Sequence, residues 1–114
     1  MANYSVALDS VFHALADPTR RAVIQRLGKG SATVSELAEP FNMALPSFMK
    51  HVRVLESSGL IVSNKTGRIR SCTLKPENLA AVEKWFYDQR ELWKNRYQNL
   101  DRLLDKLTGD GNES

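Results

Sequence analysis

The order of apolar and polar residues predicts four helices in the first half of the chain. They cover about residues 5–16, 18–28 (or to 30), 33–41 and 45–58. In each segment the apolar residues recur three or four positions apart, which places them on one side of a helix. In the fourth segment Val52 and Leu55 face inward, with Phe48 partly so. Each helix therefore has one face available for a shared core.

Residues that start and stop helices support these boundaries. Asp17 before Pro18 is typical of an N-cap followed by proline in the first helical position. Thr33 and Glu36 stand three residues apart and form a T-x-x-E capping box. Gly59 follows the fourth helix, where glycine readily takes a positive φ.

Two β-type segments follow the fourth helix. Leu60–Ser63 and Ile69–Leu74 flank the loop Asn64–Arg68, which contains the glycine that a hairpin needs. A further helix begins at Pro76, so the element order is α-α-α-α-β-β-α. This order predicts a mainly α protein with a small β-hairpin wing, that is, a winged helix-turn-helix.

The last helix is predicted to run from about residue 76 to 107 without an internal glycine or proline. One apolar series recurs at intervals of seven: Leu79, Phe86, Trp93, Leu100 and Leu107. About 32 residues give a rod of roughly 48 Å, whereas a domain of this size is only about 25–30 Å across. We therefore expect a homodimer through the first helix, with Phe12, and the last helix. The predicted domain spans 1–107, followed by a disordered tail at 108–114.

Charge is concentrated in one part of a nearly neutral chain of 114 residues and net charge +3. Between positions 50 and 75 the acidic residue is Glu56, whereas the basic residues are Lys50, Arg53, Lys65, Arg68, Arg70 and Lys75. A local basic excess indicates a surface for a polyanion. A merely solvated basic face is the alternative.

Composition narrows the setting in which the protein works. No apolar run approaches the roughly 18 residues of a membrane span, and the first residues do not resemble a secretion signal. The single cysteine, Cys72, excludes an internal disulfide and fits a reducing cytoplasm. We expect a cytoplasmic, nucleoid-associated protein without a membrane partner.

Four linked motifs resemble the ArsR (arsenical-resistance repressor) family. They are Leu15-Ala-Asp-Pro-Thr-Arg-Arg-Ala-Val-Ile, Val34-Ser-Glu-Leu-Ala, Pro46-Ser-Phe-Met-Lys-His-Val-Arg-Val-Leu-Glu and Ser58-Gly-Leu-Ile. The resemblance covers about residues 6–107. It implies a homodimeric repressor that binds an inverted repeat in double-stranded DNA and blocks RNA polymerase.

The chain departs from the metal-sensing members of that family. Where they carry Cys-Val-Cys, this sequence reads Thr33-Val34-Ser35, and its last helix has no histidine. Soft metals need thiolates, and zinc needs several converging ligands. The resemblance therefore implies the branch without the usual metal site and without a cofactor. An unusual carboxylate site across the dimer, from residues such as Asp9, Glu83 or Glu91, stays open.

The resemblance assigns the fourth helix to DNA recognition and the hairpin to the wing. The expected DNA-binding residues are Pro46, Ser47, Met49, Lys50, His51 and Arg53 in the helix, and Lys65, Arg68 and Arg70 in the wing. N-terminal residues of a recognition helix meet base edges in the major groove. Ala44 and Leu45 replace the polar residues common at this point, so contact of Leu45 or Met49 with thymine methyl groups is one mode of readout.

Other functions have less support in the sequence. A winged-helix module that docks on an acidic protein is the alternative to DNA binding. The sequence contains no nucleophile motif and no glycine-rich phosphate loop, and we expect no enzyme activity. Trp85, Phe86 and Trp93 are interpreted as core packing, although a pocket for a small-molecule effector stays open. Cys72 is expected to be a buried apolar residue.

Overall fold

The computed structural model describes the backbone of residues 2–112 and the side chains of residues 8–108. Its elements are α1 (Ala2–Leu15), α2 (Pro18–Leu27), β1 (Ala32–Thr33), α3 (Val34–Ala38), α4 (Leu45–Ser57), β2 (Ile61–Thr66), β3 (Ile69–Leu74) and α5 (Glu77–Asn112). The chain divides into two compact units, residues 1–82 and 83–114. The first unit holds the three-stranded sheet and α1 to α4.

Both predicted helix starts are confirmed. The Asp17 carboxylate accepts a hydrogen bond from the Arg20 backbone N–H at 3.1 Å. The Thr33 hydroxyl accepts from the Glu36 N–H at 3.1 Å, and the Glu36 carboxylate accepts from the Thr33 N–H at 3.0 Å. These bonds satisfy N–H groups that the first turn of a helix leaves without a backbone partner.

The sheet has one strand more than the sequence predicts. β1 pairs antiparallel with β3, with Ala32 opposite Cys72, and the strand order is β1-β3-β2. A strand of two residues is too short to show alternation, so only its pairing partner reveals it. Through this pairing the start of α3 is attached to the base of the wing.

The hairpin is longer and its turn tighter than predicted. Residues 64–66, placed in the loop by the sequence, belong to β2, and Thr66 pairs with Ile69. Only Gly67 and Arg68 remain as the turn, and Gly67 has φ +63°. A glycine of positive φ in the first of two turn positions is the pattern of a type II′ turn, whose twist suits a hairpin.

The core of the first unit lies beneath α4. Phe48, Val52 and Leu55 are completely buried, so the prediction that Phe48 is only partly inward is wrong. Its ring stacks on that of Phe41, with the ring centroids 5.6 Å apart. The segment after α3 thus covers Phe48, which the periodicity of α4 alone could not indicate. The position of α4 is fixed by this packing.

The end of α4 is tied to the beginning of α5. Gly59 has φ +77°, which confirms it as the residue after the helix C-cap, whereas Gly28 after α2 keeps a helical φ of −63°. The Asn78 side-chain amide donates to the Ser58 carbonyl at 2.7 Å. A Cβ at position 59 would collide with the Asn78 side chain. Only glycine fits there for two separate reasons.

α5 continues to Asn112, beyond the predicted end at Leu107 and into the stretch expected to be a tail. The Thr108 hydroxyl donates to the Leu104 carbonyl at 2.8 Å, as it does inside a regular helix. Glycines weaken a helix by about 1 kcal/mol each but leave its hydrogen bonds intact. Residues 113 and 114 lie outside the described part.

Most of the apolar series on α5 is exposed, as is Phe12 on α1 (37 %). The exposed fractions are Phe86 46 %, Trp93 52 %, Leu100 50 % and Leu107 67 %, whereas Leu79 is half-buried. Trp93, interpreted from the sequence as packing of the long helix, is thus about half exposed in the single chain. In the described part of the chain, no helix is both long enough and apolar enough to cross a membrane.

Candidate DNA-binding interface

The first turn of α4 carries no side-chain cap. Ala44 occupies the N-cap with φ −64° and has no polar side-chain atom to accept from the first N–H groups. Leu45 and Pro46 follow, and Leu45 is 53 % exposed. Free N–H groups and the positive end of the helix dipole together suit an anion such as a DNA phosphate.

A cleft of about 440 Å³ lies between the start of α4 and the wing. The lining residues are Thr33, Val34, Ser35, Leu45, Met49, Lys65, Arg68, Ile69 and Arg70. The structure therefore brings one predicted recognition residue, Met49, together with all three predicted wing cations. Ile69 and the start of α3 were not expected on this surface, because neither carries a basic residue or a motif typical of DNA contact.

Positive charge in the wing is not neutralised from within the described residues. Lys65 lies directly across the ladder from Arg70, and like charges in this position destabilise a hairpin. The Arg70 guanidinium donates instead to the Ser63 hydroxyl at 2.9 Å. In the described part of the chain the ion pairs are elsewhere, at His51–Asp17 and Lys84–Asp88. The positive charge of the wing is thus available to an external anion.

The other predicted recognition residues lie outside the cleft. Ser47 and Lys50 are exposed on α4. Arg53 is also exposed and lines a separate depression of about 250 Å³ with Ser10 and His13 of α1. α4 therefore presents polar and cationic groups outside the cleft, and the apolar Leu45 and Met49 toward the wing.

His51 is held by the corner between α1 and α2. Its Nδ1 lies 3.1 Å from the Arg20 Nη1 and 3.6 Å from the Asp17 Oδ2. Arg20 also donates from Nε to the Ala14 carbonyl at 2.7 Å and from Nη2 to the His13 carbonyl at 3.1 Å. Because a guanidinium only donates, Nδ1 is the acceptor in the hydrogen bond with Arg20. His51 thus connects the recognition helix to this corner.

This corner also holds the carboxylate of Asp17 in its charged form. Desolvation raises the pKa of Asp17, but the backbone hydrogen bond from Arg20 and the charges of His51 and Arg20 outweigh it. The net result is a pKa below the usual value. The N-cap of α2 therefore stays ionised throughout the neutral range.

Residues at the family's usual metal position have structural roles here. Thr33 is the N-cap of α3, and the exposed Ser35 lines the cleft. Cys72 is buried in β3, where desolvation and the charge of Glu56 raise the pKa of its thiol against the opposing effect of Arg70. Among the residues that the structure describes, no group of three or more His, Cys, Asp or Glu side chains converges for a metal ion.

A helix-turn-helix whose second helix shares a cleft with a cationic hairpin defines the class: this is a winged helix-turn-helix DNA-binding protein. A family model described as a helix-turn-helix domain matches residues 15–64. The HTH-type transcriptional regulator Rv2034 of Mycobacterium tuberculosis is 33% identical over 102 residues, covering 90% of this chain and 92% of that protein. The transcriptional repressor SdpR of Bacillus subtilis is 34% identical over 61 residues, covering 54% of this chain and 68% of that protein.

The solved structures agree with these relatives. The crystal structure of an ArsR family transcriptional regulator is 58% identical, covers 79% of this chain and 93% of its own, and superposes with a TM-score of 0.77. The chain belongs to the ArsR family of transcriptional regulators. It is a DNA-binding transcriptional regulator, and the expectation that it is not an enzyme is confirmed by its relatives.

Proposed function

We propose that the protein is a homodimeric repressor that binds an inverted repeat with α4 in the major groove and the wing on the sugar–phosphate backbone. The observation that carries this proposal is the shared cleft, where Met49 of α4 lies with Lys65 and Arg68 of the wing. Ser47, Lys50 and Arg53 extend the same contact along α4, and Arg70 completes the wing. SdpR, a similar protein, is named as a repressor.

Dimerisation is supported by the surface of α5. Large apolar side chains such as Leu100 and Leu104 are about half exposed, at 50 % and 49 %. Exposed apolar area costs about 25 cal/mol per Å², and a second copy is the simplest partner for a seven-residue repeat. We infer that Phe12, Leu79, Phe86, Trp93, Leu100 and Leu107 form the dimer interface.

A charge placed on the apolar series tests the dimer. Leu100→Glu should shift the sedimenting species from dimer to monomer, because it would bury a carboxylate in the interface. Gln98→Glu adds the same charge about 160° around the helix and should leave the mass unchanged. A wild-type chain that sediments as a monomer, or equal behaviour of the two variants, contradicts the proposed interface.

Selection of genomic fragments by the purified full-length protein tests DNA recognition. We expect one enriched inverted repeat, with half-sites separated by about 34–36 Å, and binding that weakens steeply with salt. Lys65→Ala or Arg68→Ala should weaken binding to every sequence, and the salt slope should fall by about one for each wing on DNA. Ser47→Ala or Lys50→Ala should change the preferred sequence. If binding to DNA shows neither salt dependence nor sequence preference, the alternative function as a module that docks on an acidic protein is favoured instead.

Repression follows if the selected site overlaps a promoter. A reporter under that promoter should be silent when the chain is produced and active without it. Activation of the reporter would exclude a repressor while leaving DNA binding intact. A small-molecule effector is a separate matter, tested by release of the selected DNA from the protein.

A further inference from the structure

The cleft between α4 and the wing has an apolar wall as well as a cationic one. Leu45 at the start of α4 is 53 % exposed, and Ile69 at the start of β3 is 59 % exposed. Met49 lines the same cleft and is half-buried. Contact of large apolar side chains with water is unfavourable, and a surface that exposes several of them often binds a partner. The occupant of this cleft therefore offers apolar groups together with negative charge.

We propose that Leu45 is a specificity-determining residue that recognises thymine through its C5-methyl group, an inference that rests on the proposed function. The thymine methyl is the apolar group on base edges in the major groove. Leu45 is the first residue of α4, and the N-terminal residues of a recognition helix meet base edges.

The neighbours of Leu45 strengthen this assignment. Ala44 and Pro46 flank it, and none of these three side chains carries a hydrogen-bonding group. These three side chains therefore cannot form a hydrogen bond with a base edge. The first side chain of α4 that can donate or accept is Ser47, one half-turn further on. The side chains at the start of α4 therefore distinguish one base from another through apolar contact.

The position of Leu45 is fixed by the core rather than by the ligand. The Phe48 N–H donates to the Ala44 carbonyl at 3.0 Å, which closes the first turn of α4. Phe48 itself is completely buried. Because the backbone of this turn is already ordered, its conformational entropy is not lost when a methyl group packs against Leu45. Leu45 is thus placed for contact before DNA arrives.

Charge complementarity selects DNA as the occupant. Lys65, Arg68 and Arg70 line the same cleft, and no carboxylate among the described side chains does. A DNA strand offers phosphates to these cations and thymine methyls to Leu45. Neutral apolar ligands would leave three cations uncompensated, and RNA without methylated bases would leave the apolar wall uncovered.

Replacement of single thymines by deoxyuridine tests the proposal, since it removes only the C5-methyl group. The full-length protein first selects its preferred duplex from a random library. Each thymine in that duplex is then replaced in turn, and affinity is measured by fluorescence anisotropy for the wild type, Leu45→Ala, Met49→Ala and Val62→Ala. Val62 is the matched control, an apolar side chain 43 % exposed in β2 outside the cleft.

We expect one thymine in each half-site at which deoxyuridine weakens wild-type binding about fourfold, the value of one buried methyl group. Leu45→Ala should bind the thymine duplex more weakly and should no longer respond to deoxyuridine there, whereas Val62→Ala should behave as the wild type. Circular dichroism and melting verify the fold of Leu45→Ala, which replaces an exposed residue by a strong helix former.

Several results overturn the inference. These are the absence of any deoxyuridine effect, an undiminished effect in Leu45→Ala, or an effect lost only in Met49→Ala. Displacement of DNA by an alkyl carboxylate such as octanoate, lost in Leu45→Ala and without any deoxyuridine effect, would assign the cleft to an organic anion. If the selection enriches no sequence, the proposed function fails and the inference fails with it. An enriched sequence that is insensitive to deoxyuridine overturns the inference alone.

Discussion

The like-charge pair across the wing predicts that one substitution will raise stability and lower DNA affinity. Lys65 faces Arg70 directly in the β2–β3 ladder, and none of the described acidic residues pairs with either. Lys65→Glu replaces this repulsion by an opposite-charge cross-strand pair. Such pairs contribute about 0.2–1 kcal/mol each. We expect the free energy of unfolding to rise by about 0.5–1 kcal/mol at low salt.

The same substitution should weaken DNA binding with a defined dependence on salt. Each lysine–phosphate contact contributes about 0.9 to the slope of log K against log salt. With two wings on one operator, the slope should fall by about 1.8. When the salt concentration rises fourfold, from about 50 to 200 mM, the ratio of wild-type to Lys65→Glu affinity for DNA should fall about twelvefold.

Two measurements on the same preparations test this prediction. Urea unfolding at about 20 mM and 500 mM salt gives the stability difference, which should diminish at high salt because the pair is exposed. Fluorescence anisotropy on a labelled operator gives the slope. Lys65→Gln should show about half the stabilisation and nearly the same loss of slope, since it removes the charge without reversing it.

A charge-matched control lies on α5. Lys84 donates to Asp88 at 2.9 Å, so its charge is already partly compensated. Lys84→Gln should leave the salt slope of DNA binding unchanged. The reasoning is refuted if Lys65→Glu is less stable than the wild type at low salt, or if it keeps the wild-type slope.

Three further predictions concern the support of α4 and the sheet. Phe48→Ala should lower the free energy of unfolding by about 3–5 kcal/mol, because it empties a site of complete burial; urea unfolding measures the loss, and a value under 1 kcal/mol would contradict the packing. Asp17→Ala should cost about 1 kcal/mol at pH 7. Because the folded state lowers the pKa of Asp17, this stabilisation is present above the unfolded value and disappears as pH falls below about 4; unfolding at pH 7 and pH 3 tests it, and an equal difference at both would contradict it. Cys72 should resist a thiol reagent such as dithionitrobenzoate until urea unfolds the chain, because burial raises its pKa and blocks access; fast labelling of the native protein would contradict this.

Local signals in the sequence were sufficient for most of the fold. The caps at Asp17 and Thr33 were predictable because they depend on hydrogen bonds to N–H groups within three residues. The glycine after α4 was predictable for the same reason. Missed features depend on distant partners: β1 exists only through β3, and the burial of Phe48 includes a ring contact with Phe41 beyond the end of α3.

The candidate site divides in the same way. Charge density pointed to Lys65, Arg68 and Arg70, and the helix start pointed to Leu45 and Met49, so five members of the cleft were predicted from their own neighbourhoods. His51 was expected to contact DNA from its place on α4. Its attachment to Arg20, 31 residues earlier in the chain, has no local signal, because it depends on how α2 packs beside α4.

Most helices and strands, the apolar face of each and the concentration of positive charge were predictable from the order of residues. These properties depend on residues within one or two turns of each other. The meeting of Leu45 and Ile69 in one cleft with the wing cations was not predictable, because these residues are 24 positions apart and come together through the packing of α4 against the sheet. That juxtaposition turns a basic surface into one that can also distinguish a methyl group.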